Sequence, residues 1–592
     1  MTFVQPSSDR GQKSTLNVGR TNKPLILMLI VTLTMMGGIG ARLAYLQIIQ
    51  GQENRELAQD NHIRLIPKLP VRGNLLDRKG RLLAGNRLTY SVFLWPMAPK
   101  QPDWQKTKER LSQVLNMKEE EITQLLAKAG YNPSMRVRLA RNITPAQITA
   151  LAEYGNDLDG VEVDIEAIRS YPNGDLAAHV LGYTGEMSTE ELVKRRSEGY
   201  RLGDFVGQMG VEAAFEKQLR GEWGGQQVEV DGSGQVVKIL GQKESKPGTD
   251  VHLTLDLDVQ KAAEAALGNR QGAILAMNPQ NGAILAMASR PTFDPNIFSK
   301  RITPETWQKI QSEDHPFVNR AIRGFPPAST FKIITTTAGI ESGKFSENTR
   351  LQTYASLTIA GRKFADWNHA GFGVLGFAGA LKWSSDTFFY QVGKEIGGQT
   401  LIDWTHKYGF GQKTGIELAP EEAAGLVADE TWKRKRLREP WTVGDTVNMS
   451  IGQGFLQATP LQQAVMFSVP ANGGYRVKPH LLKDDEESKQ WRESLNLKPQ
   501  TIRVLRQGLR AVVDGGTGAA LNSPTLPTTA GKSGTAEAPP GEPHVWFGGY
   551  APAEKPEIVV VAFGEHEGAN GGGGKIAAPM VLKVMEAYFK KQ

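Results

Sequence analysis

Near its start the chain abandons the mixing of apolar and polar positions that marks the rest of it. Residues 24–41 carry no charge, and the apolar run continues through Leu43, Ala44, Tyr45, Leu46, Ile48 and Ile49, interrupted by Arg42. As a helix this stretch is long enough to cross a bilayer, with Arg42 snorkelling to the far interface. Downstream the pattern turns amphipathic. Apolar positions spaced three and four apart predict helices over 104–115, 119–129 and 143–154, the last opened by Thr144-Pro145 as cap and first-turn proline. Residues 242–248 (QKESKPG) are polar and turn-rich, a natural domain boundary. Beyond them come short, strand-length apolar runs. Residues 272–277 and 282–287 are nearly identical, and Asn281-Gly282 between them predicts a β-hairpin. Runs at 528–538, 544–550 and 558–563 predict three further strands, and 578–589 a closing helix. Two strands, a helical middle, then three strands and a helix predict an α+β domain: a five-stranded antiparallel sheet flanked by helices.

At 592 residues the chain exceeds one core, so two or more folded domains are expected. Four basic residues (Arg10, Lys13, Arg20, Lys23) precede the apolar helix, against Arg55 and Arg64 soon after. The positive-inside rule then leaves the N-terminus in the cytoplasm and the remainder outside. Gly38-Ile39-Gly40 offers a rival reading as a signal-peptide cleavage site, but the apolar core is unusually long for one. The net charge of +7 suits an anionic membrane surface or polymer, and no recognition motif accompanies it, so no nucleic acid is expected. The basic run Lys433–Arg438 reads as a solvated loop. With no cysteine, disulfides, thiolate chemistry and cysteine zinc sites are excluded. Nine histidines form no HExxH pair, so no metal and no cofactor are expected. The stretch 568–575 (GANGGGGK) fails as a phosphate loop, since Ala569 replaces the first glycine and Ile576 the hydroxyl residue. It is expected to be a flexible strand-to-helix connection.

The chemistry lies in three short segments. Ser329 precedes Lys332 by three positions, just after Pro326-Pro327, where the chain is expected to enter a buried helix. That spacing puts hydroxyl and amine on one face, so a desolvated lysine can take the hydroxyl proton and leave a nucleophile. The helix dipole should favour a serine in its first turn. Ser384-Ser385-Asp386 is the second segment: Ser384 can relay a proton between the lysine and a leaving amine. The third is Lys532-Ser533-Gly534-Thr535 in a predicted strand. Lys532 can attract a carboxylate, and Gly534 lets a peptide backbone lie against the strand edge. Lys413-Thr414-Gly415 reads instead as glycine punctuation at a helix end.

In this order, the segments resemble the SxxK, SxN and K[ST]G signature of penicillin-binding proteins and serine β-lactamases. Residues 72–80 (RGNLLDRKG), 169–172 (RSYP) with Ala178-His179, and 207–212 (GQMGVE) are similar to the pedestal motifs of class B members. Residues 448–454 (NMSIGQG) resemble a further stretch of that family, and 384–390 (SSDTFFY) resemble its elongation-type members, septal ones usually keeping asparagine where Asp386 stands. The resemblance implies a serine D,D-transpeptidase acting on D-alanyl-D-alanine stem peptides and acylated by β-lactams. It implies Ser329 as nucleophile, Lys332 as base, Ser384 as relay, and Asp386 and Lys532 as catalytic partners. Ser533, Gly534 and Thr535 would bind substrate. The implied organisation is a cytoplasmic tail (1–23), one transmembrane helix (24–46), a non-catalytic pedestal (47–245) and a transpeptidase domain (246–592) in the bacterial inner membrane. A polytopic glycosyltransferase and elongation scaffold proteins are the implied partners. Some elongation-type relatives carry a metal cluster near the second segment. Asp366 matches one ligand, but Phe372 stands where a histidine is expected, and no metal is expected here. A septal transpeptidase, a D,D-carboxypeptidase and a non-catalytic β-lactam sensor remain alternatives.

Overall fold

The computed structural model describes residues 22–50, 63–129, 136–201, 203–230, 236–299, 302, 307–308, 310–311, 315–418 and 420–590. Two compact units emerge: one of residues 1–69 and 223–245, the other of 70–222 and 246–592. The first holds the helix Asn22–Ala44, continued by a π-helical turn Tyr45–Ile49. Its span Pro24–Ile49 has a mean hydropathy of 2.0 and is long and apolar enough to cross a membrane. Arg10, Lys13, Arg20 and Arg55, on which the expected orientation rests, lie outside the described residues. The same unit contains a three-stranded antiparallel sheet of Ile63–Lys68, Gly224–Val230 and Val236–Lys243. Gln242 and Lys243, expected in a linker, therefore lie in a strand.

The second unit starts with β1 (Leu75–Leu76), β2 (Leu82–Leu94), β3 (Val137–Ala140), β4 (Val161–Ser170) and β5 (Val251–His252). β2 pairs with β1, β3 and β4, and β5 adds parallel to β1. Helices α1 (Trp104–Leu115), α2 (Glu119–Ala129) and α3 (Pro145–Glu153) cover one end, around Val92, Leu94, Leu111, Ile122, Leu139 and Leu151. The expected cap on α3 is a full capping box. Gln147 N donates to Thr144 Oγ1, and Thr144 N donates to Gln147 Oε1.

The pedestal motifs meet in a buried ion cluster. Arg72 Nε and Arg169 Nε donate to opposite oxygens of Glu212 at 2.7 and 2.5 Å, while Arg72 Nη1 donates to Glu216 at 2.7 Å. Burial works against the Glu212 carboxylate, but the two guanidiniums outweigh it and hold its pKa below the usual range. Asp77, in the first motif, accepts from Arg81 Nε (2.8 Å) and Leu257 N (3.2 Å), fastening the pedestal to the helix that follows β5.

That helix, α4 (Leu257–Leu267), leads into β6 (Gly272–Met277) and β7 (Ile284–Arg290), the expected hairpin. With β8 (Ala530–Ala536), β9 (His544–Ala551) and β10 (Ile558–Gly564) they form an antiparallel sheet ordered β7-β6-β10-β9-β8. The strands read as continuous apolar runs because both faces are covered. Leu275, Val559, Val561 and Trp546 enter the core on one side, and Ile274, Val560, Ala562 and Phe547 the core on the other. The first core holds α5 (Lys332–Glu341), α6 (Phe377–Trp383) and α7 (Asp386–Ile396). The second packs α4 and the C-terminal helix.

One expectation fails in the middle of this domain, and a boundary shifts at its end. The basic run is not a loop but α8 (Glu430–Leu437), and Lys433 is buried, its ammonium 2.7 Å from Asp445 of α9 (Val443–Ser450). Its neighbours on the helix carry the solvated charge; a charge run alone does not reveal which member turns inward. The glycine stretch does join strand to helix, but α10 (Gly573–Phe589) begins inside it rather than at the expected residue 578. A Cβ on Gly573 would lie 2.0 Å from Trp546 O, so the glycine lets the helix start lie flat on the sheet.

Candidate active site

Pro326 and Pro327 delay helix formation, and the chain makes a 3-10 turn, Ala328–Phe331, before α5 begins at Lys332. Ser329 thus lies in that turn rather than in the first α-helical turn, with Lys332 at the start of the helix. Every residue of α5 through Ile340 is buried, Lys332 included. The turn is gripped from several sides. Trp546 Nε1 donates to Pro326 O at 2.9 Å, Ala328 N donates to Gly452 O at 2.9 Å, and Thr330 Oγ1 donates to Pro327 O at 2.5 Å. Ala328 is held at φ +53°, an unfavourable region for a side-chain-bearing residue. Gly452, at φ +79°, backs it so closely that a Cβ there would stand 2.1 Å from Ala328 O. Ser329 itself is only half-buried.

The second segment is the corner between α6 and α7. Ser384 caps α6 in the left-handed region (φ +55°) and aims both its carbonyl and its hydroxyl at Lys332. Lys332 Nζ donates to Ser384 O (2.7 Å), Ser384 Oγ (3.2 Å) and Asp386 Oδ1 (2.7 Å). Three acceptors match the three protons of an ammonium. On the edge strand β8, Lys532 is fully buried and its Nζ donates to the same Ser384 Oγ at 3.0 Å and to Ser533 O at 2.9 Å. Burial, reinforced by the Lys332 charge and partly offset by Asp386, pushes the Lys532 pKa well below the lysine range. One hydroxyl thus joins two amines whose charges repel.

The rest of β8 divides. Gly534 faces the serine-bearing turn: a Cβ there would be 3.3 Å from both Ala328 Cβ and Thr330 Cγ2. Thr535 is exposed, its Oγ1 accepting from Gly573 N at 3.3 Å. Ser533 turns away, donating to Thr517 Oγ1 at 2.8 Å. Lys332, Ser384, Asp386 and Lys532 are therefore one bonded chain and Gly534 lies against the turn that carries Ser329, whereas the Ser533 and Thr535 hydroxyls bond elsewhere, to Thr517 and Gly573.

A model of the penicillin-binding protein transpeptidase domain matches residues 272–586, and one of the penicillin-binding protein dimerisation domain matches 67–253. The chain belongs to the penicillin-binding proteins. Peptidoglycan D,D-transpeptidase MrdA of Acinetobacter baumannii is 33% identical over 604 residues, which cover 97% of this chain and 88% of that protein. MrdA of Haemophilus influenzae is 31% identical, with 99% and 94% covered. A solved complex between penicillin-binding protein PBP2 and MreC from Helicobacter pylori matches with a TM-score of 0.81 at 30% identity, over 89% of this chain and 99% of that one. The α+β fold is that of this family, a transpeptidase domain joined to a pedestal.

Sequence reasoning assigned no role to Gly452, Thr517 or Trp367, and weighed Asp366 only as a metal ligand. Gly452 lies in the 448–454 stretch, whose glycines are the one local signal of a close backbone approach. Asp366 accepts from Ser385 Oγ (2.8 Å), Thr387 N (2.9 Å) and Thr387 Oγ1 (2.9 Å), all on its Oδ2. These bonds span about twenty residues of sequence, which no local pattern reveals. Among the described residues no three His, Cys, Asp or Glu side chains are placed to hold a metal ion. With Phe372 packed between Trp367 and Trp383, the donor set around Asp366 does not fit one.

Proposed function

We propose that this penicillin-binding protein is a peptidoglycan D,D-transpeptidase of the elongation type, working through a serine acyl-enzyme with the roles that follow. The observation that carries the reading is the Ser384 hydroxyl, shared by Lys332 and Lys532 from segments 52 and 148 residues away. Ser329 Oγ attacks the carbonyl carbon of the penultimate D-alanine while its proton passes to Lys332 Nζ. Lys332 must first be neutral, and the bonded chain supplies the route: its proton passes through Ser384 Oγ to Lys532. A substrate carboxylate arriving beside Lys532 and Thr535 favours the proton there and leaves Lys332 as the base. Backbone amides of Ser329 and Thr535 face the developing oxyanion. The C–N bond then breaks, and the departing D-alanine amine takes its proton through Ser384. An amine from a second stem peptide attacks the ester carbon and gives its proton to Lys332, which returns it to Ser329 Oγ as the C–O bond breaks. With a β-lactam the leaving nitrogen stays tethered, so the ester persists.

The remaining division of labour follows the same reading. Residues 1–23 form a cytoplasmic tail, 24–46 cross the inner membrane once, 47–245 form a non-catalytic pedestal, and 246–592 carry the chemistry outside. The pedestal is a docking element for a polytopic glycosyltransferase and for scaffold proteins. The Helicobacter pylori complex of PBP2 with MreC supports this, as does a match to a peptidoglycan synthase complex at a TM-score of 0.72. The test is twofold. Ser329→Ala should abolish labelling by fluorescent penicillin, and the wild type should convert a D-alanyl-D-alanine donor and an amine acceptor to crosslinked dimer. Persistent labelling would refute the nucleophile; trimmed monomer without dimer would make the protein a carboxypeptidase.

A further inference from the structure

The Ser384 corner carries the whole bonded chain, yet its own backbone sits in a region that serine disfavours. Something must hold it there, and α6 and α7 contribute only their terminal turns. From residue 384 onward the corner's polar groups divide between two sides. Ser384 and Asp386 face Lys332, whereas Ser385 and Thr387 face away and deliver three hydrogen bonds to one oxygen of Asp366. Asp366 is itself buried and tied down, its amide donating to Ala355 O at 2.9 Å. Next to it, Trp367 Nε1 donates at 2.9 Å to the carbonyl of Trp383, the residue immediately before Ser384. Phe372 stacks on Trp383 at 6.0 Å between centroids and meets Trp367 at 5.4 Å, closing the grip from outside.

We infer that Asp366 and Trp367 are positioning residues of the reaction, a hydrogen-bonded clamp that holds Ser384 in its left-handed conformation between the two lysines. The inference rests on the catalytic reading above. The clamp is made of protein groups: Asp366 Oδ2 takes three protein donors, and the Phe372 ring packs against Trp367 and Trp383 beside it. Asp366 makes no hydrogen bond to either amine, and it acts by fixing which way the corner turns. A carboxylate suits the task because one oxygen can accept three converging donors, which a water or a hydroxyl does not match in direction.

The experiment follows β-lactam acylation of the detergent-solubilised full chain by stopped flow, separating the non-covalent affinity, the limiting acylation rate and the amplitude. Asp366→Ala should lower the limiting rate by about 100-fold, the scale of an ångström-sized misplacement, with affinity changed less than about threefold. Asp366→Asn, which keeps an acceptor in place, should recover at least about tenfold of that loss. Trp367→Phe, on a partly exposed side chain that leaves folding intact, should cost about tenfold in the same limiting rate. A purely structural role would lower the amplitude and leave the rate of the surviving fraction untouched, and that result overturns the inference. So does a wild-type rate that falls on chelation and returns with added zinc. Wild-type rates in both Trp367→Phe and Asp366→Ala refute the clamp alone, whereas failure of the wild type to acylate refutes the catalytic reading beneath it.

Discussion

Replacing Glu212 with glutamine tests how the pedestal motifs hold together. Glu212 is fully buried and faces Arg72 and Arg169, whose side chains retain 11% and 3% of their exposure. With Glu216 the cluster holds two guanidiniums and two carboxylates, so it is neutral as built. Glutamine keeps the volume but removes one negative charge and turns an amide N–H₂ toward a guanidinium. Losing one partner of a buried pair costs about 3–5 kcal/mol, a large share of an ordinary domain stability of about 5–15 kcal/mol. Hydrogen exchange of peptides covering 70–86 and 207–219 reads that loss locally, as protection reduced by about two to four orders of magnitude. Acylation of the folded protein should stay within about twofold, because the cluster makes no hydrogen bond to Lys332, Ser384 or Lys532 among the described residues. Adding Arg169→Met should cost less than the sum of the two changes, since it removes the charge that Glu212→Gln strands. Strict additivity, or protection changed by less than about fivefold, would refute the reasoning.

Three shorter predictions follow from other contacts. His179 Nε2 is bonded to Pro316 O at 2.7 Å, and burial lowers the ring's pKa from 6.5 to about 4, so the fold keeps it neutral while the unfolded chain protonates first. Stability carried by this group is whole above about pH 6.5 and is lost as pH falls to about 4, by roughly 3 kcal/mol. Denaturant midpoints between pH 7.5 and 4 should therefore slope less in His179→Gln than in the wild type, and equal slopes contradict the assignment. Gly452→Ala puts a Cβ 2.1 Å from Ala328 O and should slow penicillin acylation by about 100-fold with unchanged circular dichroism; a normal rate would mean the turn does not depend on it. Ser384→Ala removes the hydroxyl between the lysines, and its limiting acylation rate should fall by roughly 100- to 10,000-fold without loss of β-lactam affinity. An unchanged rate would exclude the relay.

The sheet was legible because its strands announce themselves. Gly272–Met277 and its near-copy, then three apolar runs before a final helix, give strand number and antiparallel sense, and Asn281-Gly282 gives the hairpin. Strand order needed the structure: β10 separates β6 from β9, a long-range pairing that no turn signal encodes. Ends were misjudged where glycine decided them, since α10 starts at Gly573 through a close backbone approach rather than through helix propensity. Lys433 was misread because sequence records its charge but not Asp445 awaiting it. At the site, Ser329, Lys332, Ser384 and Lys532 could be picked out because each belongs to a short motif. Ser533 could not be oriented, since the parity of side chains on a strand depends on where its register begins.

The same contacts explain why the site uses two lysines and a single carboxylate. Lys332 and Lys532 meet at one hydroxyl in a buried place, and Asp386 is the sole carboxylate bonded to either among the described residues. With both amines protonated the group carries one uncompensated positive charge, which burial penalises and which depresses the Lys532 pKa. In the proposed reaction the missing charge is the C-terminal carboxylate of the stem peptide, or the carboxylate of a β-lactam. Its arrival stabilises a proton on Lys532 at the moment when Lys332 must be without one. Asp386, one hydrogen bond from Lys332 and three from Lys532, biases the pair without choosing between them. The choice falls to whatever anion enters the cleft, so binding and base activation become one event. A corner that drifted from Ser384's left-handed position would uncouple them, which is why the residues behind it matter as much as those facing the cleft.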